Sequence, residues 1–276
     1  AVLKGNDQLR VMTIVLFAYY LGSGILNALG LNYFYFAVDF SNGSGMMTIF
    51  TVMYALGIIV SQSLFPLLSK KFSRMKLLGY CTIGIIVGYV LFYLYGLPLG
   101  GGSYISANPS NYWLYLAPLC LIGVLIFFSQ GLFYMNLLIM MTNTIEYNEW
   151  KYGERKEAIV SSMRALVAKW ASAIQQALIY VTLLLSGLYS VSQVISKSEQ
   201  ALNAGLMTSD EMFNMIETAR MEITSGQFLT LSAGMIIAPL ILLLISIWLS
   251  TKVFKIDEVM YKKICEDLDR RHEEDK

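Results

Sequence analysis

The amino-acid sequence predicts an all-α membrane protein with six transmembrane helices. Hydrophobic residues make up 56% of the 276 residues and charged residues only 14%, whereas a soluble domain carries about 25% charged residues. The apolar residues fall into runs that are long enough to cross a bilayer, which takes about 20 residues per helix. The polar residues inside these runs follow an order that repeats after three helices, so the six helices form a 3+3 repeat.

Six segments qualify as membrane spans, and they lie at residues 12–37, 46–67, 77–98, 112–141, 158–187 and 226–250. The fifth span qualifies although it contains Arg164 and Lys169. The lipid bilayer is therefore the direct environment of most of the chain. Two further segments are too polar to cross a bilayer, the loop at 188–225 and the tail at 252–276.

The positively charged residues predict the orientation of the chain, because Lys and Arg accumulate in cytoplasmic loops. Such residues occur near the start of the chain, after spans 2 and 4, and in the tail: Lys4, Arg10, Lys70, Lys71, Arg74, Lys76, Lys151, Arg155, Lys156, Lys252, Lys255, Lys262, Lys263, Arg270 and Arg271. The loops after spans 1 and 3 contain no Lys or Arg. We expect a multi-pass protein of the cell membrane, with both ends in the cytoplasm and the 188–225 loop outside.

Both polar segments show helical patterning. Thr208 and Glu211 have the spacing of a capping box at the start of a helix. An apolar stripe follows in each segment, formed by Met212, Phe213, Ile216 and Ala219 in the loop and by Ile256, Val259, Met260, Ile264 and Leu268 in the tail. We expect both helices to lie on the protein or membrane surface; the alternative is a regulatory docking helix for a partner.

The distribution of polar side chains distinguishes the spans. Amides or charges occur in spans 1, 2, 4 and 5, at Asn27, Asn32, Gln62, Gln130, Asn136, Arg164, Lys169, Gln175 and Gln176. Span 3 has none, and span 6 has only Gln227 at its outer edge. Because polar groups avoid lipid, we expect two helices of each triplet to line a cavity and the third to face lipid. Simple helix–helix contacts through polar groups are the alternative.

Helical spacing identifies candidate cavity residues. On span 5, steps of three and four join Lys169 to Ser172 and Gln176 on one face. On span 1 the same steps join Tyr20 and Asn27, and on span 4 they join Gln130 and Tyr134. Hydroxyls, amides and aromatic rings suit a polyhydroxylated ligand such as a sugar, whereas for each tyrosine alone packing is the favoured explanation.

Lys169 is the most deeply placed charge. It lies about 16 Å into span 5, near the bilayer midplane, whereas Arg164 lies about 9 Å in and can extend to the cytoplasmic side. None of the six predicted spans contains Asp or Glu. The partner of Lys169 is therefore a ligand, another polypeptide or a part of the protein outside this sequence, or else Lys169 is neutral because burial lowers its pKa.

Other classes of function find little support in the sequence. The formal net charge is +1, which does not favour a nucleic-acid partner. His272 is the single histidine, and the three cysteines form no CxxC pair, so neither a metal site nor a cofactor is predicted. HExxH and GxSxG motifs are absent, and we therefore do not expect an enzyme.

The segment 143–178 resembles the glycoside–pentoside–hexuronide:cation symporters of the major facilitator superfamily. The motif residues are Glu146, Tyr147, Glu149, Trp150, Lys151, Gly153, Arg155 and Glu157, and Lys169 falls where that family has a lysine tied to sugar and cation binding. The resemblance implies that this chain is the C-terminal half of a twelve-helix fold and that its partner is the N-terminal half. It departs from the family at Asn143, where an acid is common.

The resemblance also implies a mechanism, in which a sugar or glycoside is transported together with a cation by alternating access. The coupling cation, Na+ or H+, is expected to bind mainly in the absent N-terminal half. The ion pairs implied at the cytoplasmic gate involve Glu146, Glu149, Lys151, Arg155 and Glu157. Two alternatives stay open: a transporter of an anionic solute, such as a uronic acid or a lipid headgroup, bound by Arg164 and Lys169, and a non-transporting membrane receptor or scaffold.

Overall fold

The computed structural model describes residues 5–37, 40–96 and 112–274, and within these residues every regular element is a helix. The helices in order are α1 (Asp7–Ala37), α2 (Phe40–Lys71), α3 (Arg74–Gly96), α4 (Tyr112–Tyr152), α5 (Glu157–Leu185), α6 (Tyr189–Asn203), α7 (Ser209–Met221), α8 (Ser225–Trp248) and α9 (Glu258–Glu274). A π-helix, Leu249–Val253, continues α8. The predicted all-α fold class is confirmed. The end of span 3 at 97–98 and the following loop up to residue 111 lie outside the described residues.

Five helices, α1, α2, α3, α4 and α8, are each long and apolar enough to cross a membrane. Helix α5 meets the same criteria only together with α6, from which it is bent by 113°. With 29 residues α5 is about 43 Å long, so its length suffices. Its cations and amides lower its hydropathy, which is why a count by composition gives five spans, or six when α5 and α6 are taken as one.

The bend between α5 and α6 is set by a Schellman motif. Gly187 has a φ of +71°, a left-handed conformation that glycine adopts without strain. The N–H of Gly187 donates to Leu184 O and the N–H of Leu188 donates to Leu183 O, both at 3.0 Å, which satisfies the last carbonyls of α5. The helix therefore ends at Leu185, two residues before the predicted end of span 5.

The packing of the long helices reflects the repeat. Helix α1 packs most extensively along α8 and α5, and α4 packs most extensively along α2 and α3. The first helix of each triplet thus packs against the second and third helices of the other triplet. This reciprocal packing between the two triplets supports the two-fold arrangement that the order of polar residues predicts.

The two central helices, α1 and α4, are the most buried of the spans. Close contacts at small residues bring the neighbouring helices together, because only small side chains allow backbones to approach closely in lipid. Gly131 of α4 lies so near Ser61 of α2 that a Cβ at position 131 would overlap the Ser61 hydroxyl. The remaining surfaces of α2, α3, α5 and α8 stay exposed.

The predicted loop helix is present as α7. Thr208 caps it, and the reciprocal hydrogen bonds of the capping box with Glu211 are both formed. Ile216 is buried as predicted, but Phe213 is 39% exposed, because α7 packs mainly against α6. The sequence pattern does not identify α6 as a separate helix.

The tail helix α9 packs against the end of α4. Ile256, Ile264 and Leu268 form an apolar cluster with Tyr147, whereas Val259 is 79% exposed. Val259 belongs to the predicted apolar stripe but does not pack on the protein, because five residues separate it from Ile264 and the two side chains lie on different sides of α9. The predicted topology also placed residues 146–152 in the cytoplasmic loop after span 4. In the structure these residues continue α4 as a helix.

Candidate functional site

A cluster of tyrosines joins the two central helices. The hydroxyls of Tyr20 on α1 and Tyr134 on α4 are 3.0 Å apart. The ring of Tyr19 stacks on that of Tyr134, with centroids 5.3 Å apart, and the Tyr19 hydroxyl donates to the backbone oxygen of Gln130 at 3.1 Å. Tyr20 and Tyr134 are partly exposed, whereas Tyr19 is buried. The structure thus brings together two residues that were predicted from separate helices.

Gln130 lies behind the tyrosine cluster. It is 2% exposed, and its Nε2 donates to the hydroxyl of Tyr89 on α3 at 3.0 Å. The predicted cavity residue therefore contacts α3 instead of an open cavity. Because a buried amide needs a hydrogen-bond partner, Tyr89 satisfies Gln130 and fixes its position under the cluster. The sequence analysis missed Tyr89, since tyrosine was not counted among the polar residues of span 3.

The predicted polar face of α5 is exposed along its length. Arg164, Lys169, Ser172 and Gln176 all have exposed side chains. Ser172 donates to the carbonyl of Ala168 in its own helix, at 3.0 Å. Among the ion pairs of the described residues, none involves Arg164 or Lys169. The surface of α5 therefore carries two cations that have no charged partner in the described residues.

Arg164 also lines a cavity of 130 Å³ between α4 and α5, together with Leu138, Met141 and Thr142. Leu138 lies one helical turn from Tyr134 on α4, so this cavity is near the tyrosine cluster. The structure thus places Arg164 in the crevice between the two helices. Lys169 lies farther along α5 and does not line the cavity.

The contact between α1 and α5 involves amides. Gln175 of α5 packs directly on Gly24 of α1, where a Cβ would overlap its side-chain amide. Asn27 lies one turn farther along α1; its Oδ1 is buried and has no hydrogen-bond partner in the described structure. Gln175 thus forms an interhelical contact, while Gln176, which was predicted as a cavity residue, is exposed. Asn27 retains a free acceptor beside that contact.

An ion-pair cluster lies at the turn between α4 and α5. The guanidinium of Arg155 contacts Glu157 at 2.6 Å, Glu149 at 3.1 Å and Glu146 at 3.6 Å. The side chains of Glu149 and Glu146 are only 12% and 16% exposed, so these pairs are better shielded than ordinary surface pairs. The hydrogen bond that Arg155 donates to Glu157, followed by the one that it donates to Glu149 and by the charges of Glu157 and Glu146, raises the pKa of Arg155. Four of the five predicted gate residues therefore form one cluster.

The fifth predicted gate residue, Lys151, has a different partner. Its Nζ lies 3.2 Å from Asp7 Oδ1 and 3.0 Å from the hydroxyl of Tyr147. Tyr147 also donates to Asp7, at 3.0 Å. Lys151 therefore ties the start of α1 to the end of α4. This long-range pair is not visible in the spacing of the motif.

The tail helix closes over the same cluster. His272 Nε2 lies 3.0 Å from Glu149, Trp150 Nε1 donates to Asp267 at 3.2 Å, and Arg271 donates to the Trp150 carbonyl at 3.0 Å. Because α9 contacts α4 through both polar and apolar groups, the end of the chain is held on the motif helix.

Asn143 is the position at which the resemblance of segment 143–178 implies an acid. With its amide oriented to satisfy both neighbours, its oxygen accepts from Arg74 Nη2 at 3.0 Å and its nitrogen donates to Ile139 O at 2.9 Å. A neutral amide thus meets the cation that would pair with an acid. This residue links α4 to the start of α3.

Together, these features define an α-helical multi-pass membrane protein with a tyrosine cluster between its central helices and an unpaired polar face on α5. The family model for MFS/sugar transport proteins matches residues 1–258. The chain therefore belongs to this family of the major facilitator superfamily, and the resemblance seen in segment 143–178 is confirmed.

Similar curated proteins are a raffinose carrier protein and a lactose permease. The chain is 28% identical to the raffinose carrier protein of Pediococcus pentosaceus over 186 residues, which cover 67% of this chain and 26% of that protein. It is 28% identical to the lactose permease of Lactobacillus delbrueckii subsp. bulgaricus over 269 residues, which cover 97% of this chain and 35% of that protein. The matched residues thus span between about a quarter and about a third of these relatives.

Proposed function

We propose that this chain is the C-terminal half of a symporter that moves a sugar or glycoside across the cell membrane together with a cation. The observation that carries the proposal is the exposed polar face of α5 in a chain of the MFS/sugar transport family. A lysine near the bilayer midplane is costly unless it lines a cavity or meets a partner. Arg164, Lys169, Ser172 and Gln176 together supply charge and hydrogen-bond donors to such a cavity.

The tyrosine cluster supplies the rest of the proposed binding surface. Aromatic rings stack on the apolar faces of sugar rings, and the paired hydroxyls of Tyr20 and Tyr134, 3.0 Å apart, exchange hydrogen bonds with sugar hydroxyls. Raffinose and lactose, after which the relatives are named, are the first substrates to test.

The missing carboxylate partner of Lys169 is assigned to the N-terminal half of the transporter. The described spans offer none, and the relatives are about three to four times as long as the parts that match this chain. The coupling cation, Na+ or H+, binds mainly to acids of that half. The two halves then rock to expose the cavity alternately on each side, and the ion-pair cluster around Arg155 acts as a gate on the cytoplasmic side.

The proposal is tested by replacing Lys169 with Gln in the full-length transporter and measuring cation-driven sugar uptake. We expect uptake to fall at least tenfold, because the ammonium links the substrate cavity to the acids of the other half. Lys197→Gln, an exposed lysine on α6, is the control and should leave uptake unchanged. Full uptake by the Lys169 variant at equal membrane abundance would contradict the role assigned to Lys169.

An anionic substrate is the second candidate, and the absence of an acid beside Arg164 and Lys169 in the described residues favours it. Two unpaired cations on one helix attract a carboxylate. Competition of a neutral hexose and the corresponding hexuronic acid for the same binding site distinguishes the two candidates. Stronger competition by the acid, lost in Arg164→Gln, would select the anionic substrate.

A further inference from the structure

A second cavity lies away from the tyrosine cluster, between the start of α3 and the end of α8. Its volume is 380 Å³, and its lining includes Ser73, which precedes α3, Arg74 at the start of α3, Ser250 and Thr251 of the π-helix, and Lys255 of the segment that leads to α9. This volume is in the range of small-ligand sites. The proposed sugar site does not use any of these residues.

The acids of this cavity are already engaged by backbone groups. Glu258 Oε1 accepts from the N–H of Arg74 at 2.6 Å, and Asp257 Oδ1 accepts from the N–H of Met260 at 2.7 Å. Each carboxylate therefore caps the start of a helix, where the helix dipole compensates its charge. Each carboxylate keeps its charge and a second oxygen, so the two acids offset part of the positive charge of the lining.

The cations are less completely engaged. The Arg74 guanidinium donates to Ile256 O at 3.2 Å and to the Asn143 oxygen at 3.0 Å, and the charges of Glu258 and Asp257 also act on it, so it is held in place beside the cavity. Lys255 is exposed, as are the neighbouring Lys76 and Lys252, and none of these three lysines belongs to an ion pair of the described residues. Asp257 and Glu258 balance the charges of Arg74 and Lys255 in the lining, so the net positive charge around the cavity comes from Lys76 and Lys252 at its rim.

The surroundings of the cavity are apolar on the membrane side. Helices α3 and α8 are the third helices of their triplets, which are expected to face lipid. Large apolar side chains at their ends stay exposed, Met75 at 55% and Trp248 at 58%. The cavity thus combines a cationic end, at the level where both helices leave the apolar region, with apolar surfaces suited to acyl chains.

We propose that this cavity binds the phosphate headgroup of an anionic phospholipid from the leaflet on the side of the basic loops. Lys255 and Arg74 bind the phosphate, Ser73 and Thr251 lie within the same lining, and the acyl chains lie along α3 and α8. Basic pockets between transmembrane helices have this preference, and each cation near the membrane surface adds about fivefold in affinity. The inference is independent of the transported substrate.

The test is native mass spectrometry of the full-length transporter in detergent, titrated with phosphatidylglycerol or with phosphatidylcholine of the same acyl chains. We expect phosphatidylglycerol to bind preferentially to the wild type and Lys255→Gln to reduce this preference about fivefold. Lys263→Gln is the matched control, because Lys263 is exposed on α9 and does not line the cavity. Equal thermal unfolding of both variants shows that the fold is intact.

Three results would overturn the proposal. The first is equal binding of the two lipids by the wild type, which would indicate an apolar groove without headgroup recognition. The second is an unchanged preference in Lys255→Gln, which would place the anionic lipid elsewhere. The third is full displacement of phosphatidylglycerol by millimolar inorganic phosphate, which would make the site one for a soluble anion.

Discussion

At the scale of single residues, the ion-pair cluster depends on a reversal of the chain after α4. Gly153 has a φ of +72°, and its N–H donates to Glu149 O at 2.8 Å. This left-handed turn directs Arg155 back towards Glu146 and Glu149, which lie on the preceding turns of α4. The motif therefore needs glycine at 153 for a conformational reason, and the acids and the arginine for an electrostatic one.

We expect Gly153→Ala to destabilise the protein by about 1 kcal/mol, because a Cβ is unfavourable in the left-handed region. No neighbouring atom lies within 4 Å of a Cβ at this position, so the cost is conformational and not steric. The matched control is Gly79→Ala in α3, which also meets no neighbour within 4 Å but has no positive φ. The control should be neutral or stabilising by about 0.5 kcal/mol.

Thermal unfolding of the two glycine variants in the same detergent provides the measurement. We expect a lower unfolding midpoint for Gly153→Ala and an unchanged or higher midpoint for Gly79→Ala. Equal midpoints would show that the turn tolerates a side chain and that the left-handed conformation is not required for the cluster.

At the scale of elements, α7 shows how local sequence alone specifies a helix start. The Thr208 side chain accepts from the N–H of Glu211, and the Glu211 carboxylate accepts from the N–H of Thr208 at 2.9 Å. These two bonds satisfy orphan N–H groups of the first turn. The backbone hydrogen bond, followed by the hydroxyl of Thr208, lowers the pKa of Glu211.

We expect Thr208→Ala to increase amide hydrogen exchange several-fold in the first turn of α7, because the N-cap acceptor is lost. Thr218→Ala is the control, since Thr218 bonds only to Asn214 O in the middle of the same helix. Faster exchange at the start of α8, which has its own capping box at Thr224, would contradict a local effect.

The same bonds give the cap a defined pH dependence. A lowered pKa in the folded state means that the contribution of Glu211 is complete above the ordinary carboxyl pKa. It is lost as the pH falls through the lowered value. A pH series of the exchange measurement, corrected for the intrinsic exchange rate, should show the difference between wild type and Thr208→Ala becoming smaller on acidification.

At the scale of the whole molecule, the end of α4 gathers segments that are distant in sequence. Lys151 and Tyr147 hold Asp7 near the start of α1, Asn143 meets Arg74 at the start of α3, and Trp150 bonds to α9. The motif helix is therefore the structural centre of the face that bears the basic loops. A change in the position of α4 would be transmitted to all of these contacts.

We expect Ile264→Ala to release α9 from α4, because Ile264 is 1% exposed in the apolar cluster. Truncation of a buried isoleucine costs about 2 kcal/mol or more, which corresponds to roughly a thirtyfold larger population of the undocked tail. Val259→Ala, at a side chain that is 79% exposed, should change nothing. Tryptic cleavage rates at Lys262 and Lys263 report the docking, and equal rates in both variants would show that the tail is not held by this cluster.

The structure places some of the candidate site residues as the sequence predicts and places others differently. Tyr20 and Tyr134 were predicted as cavity residues by helical spacing within their own spans, and the structure pairs them. Gln130 lies four residues from Tyr134 and shares its helix face, but it is buried against Tyr89. Gln175 contacts Gly24 of α1, while its neighbour Gln176 stays exposed. Spacing determines which residues share a helix face, but it does not determine which helix that face meets.

The sequence by itself determined the helical class, the apolar spans, the capping box of α7 and the family, because these depend on hydrophobicity, on local hydrogen bonds and on a contiguous motif. The tertiary structure alone decided which helices pack together, so that α1 meets α5 and α8 while α4 meets α2 and α3. It also decided that Lys151 pairs with Asp7 and that Val259 faces away from α4. These outcomes depend on contacts between residues that are far apart in the chain. The shapes of the side chains and the crossing angles of the helices select such contacts, and no local sequence pattern encodes them.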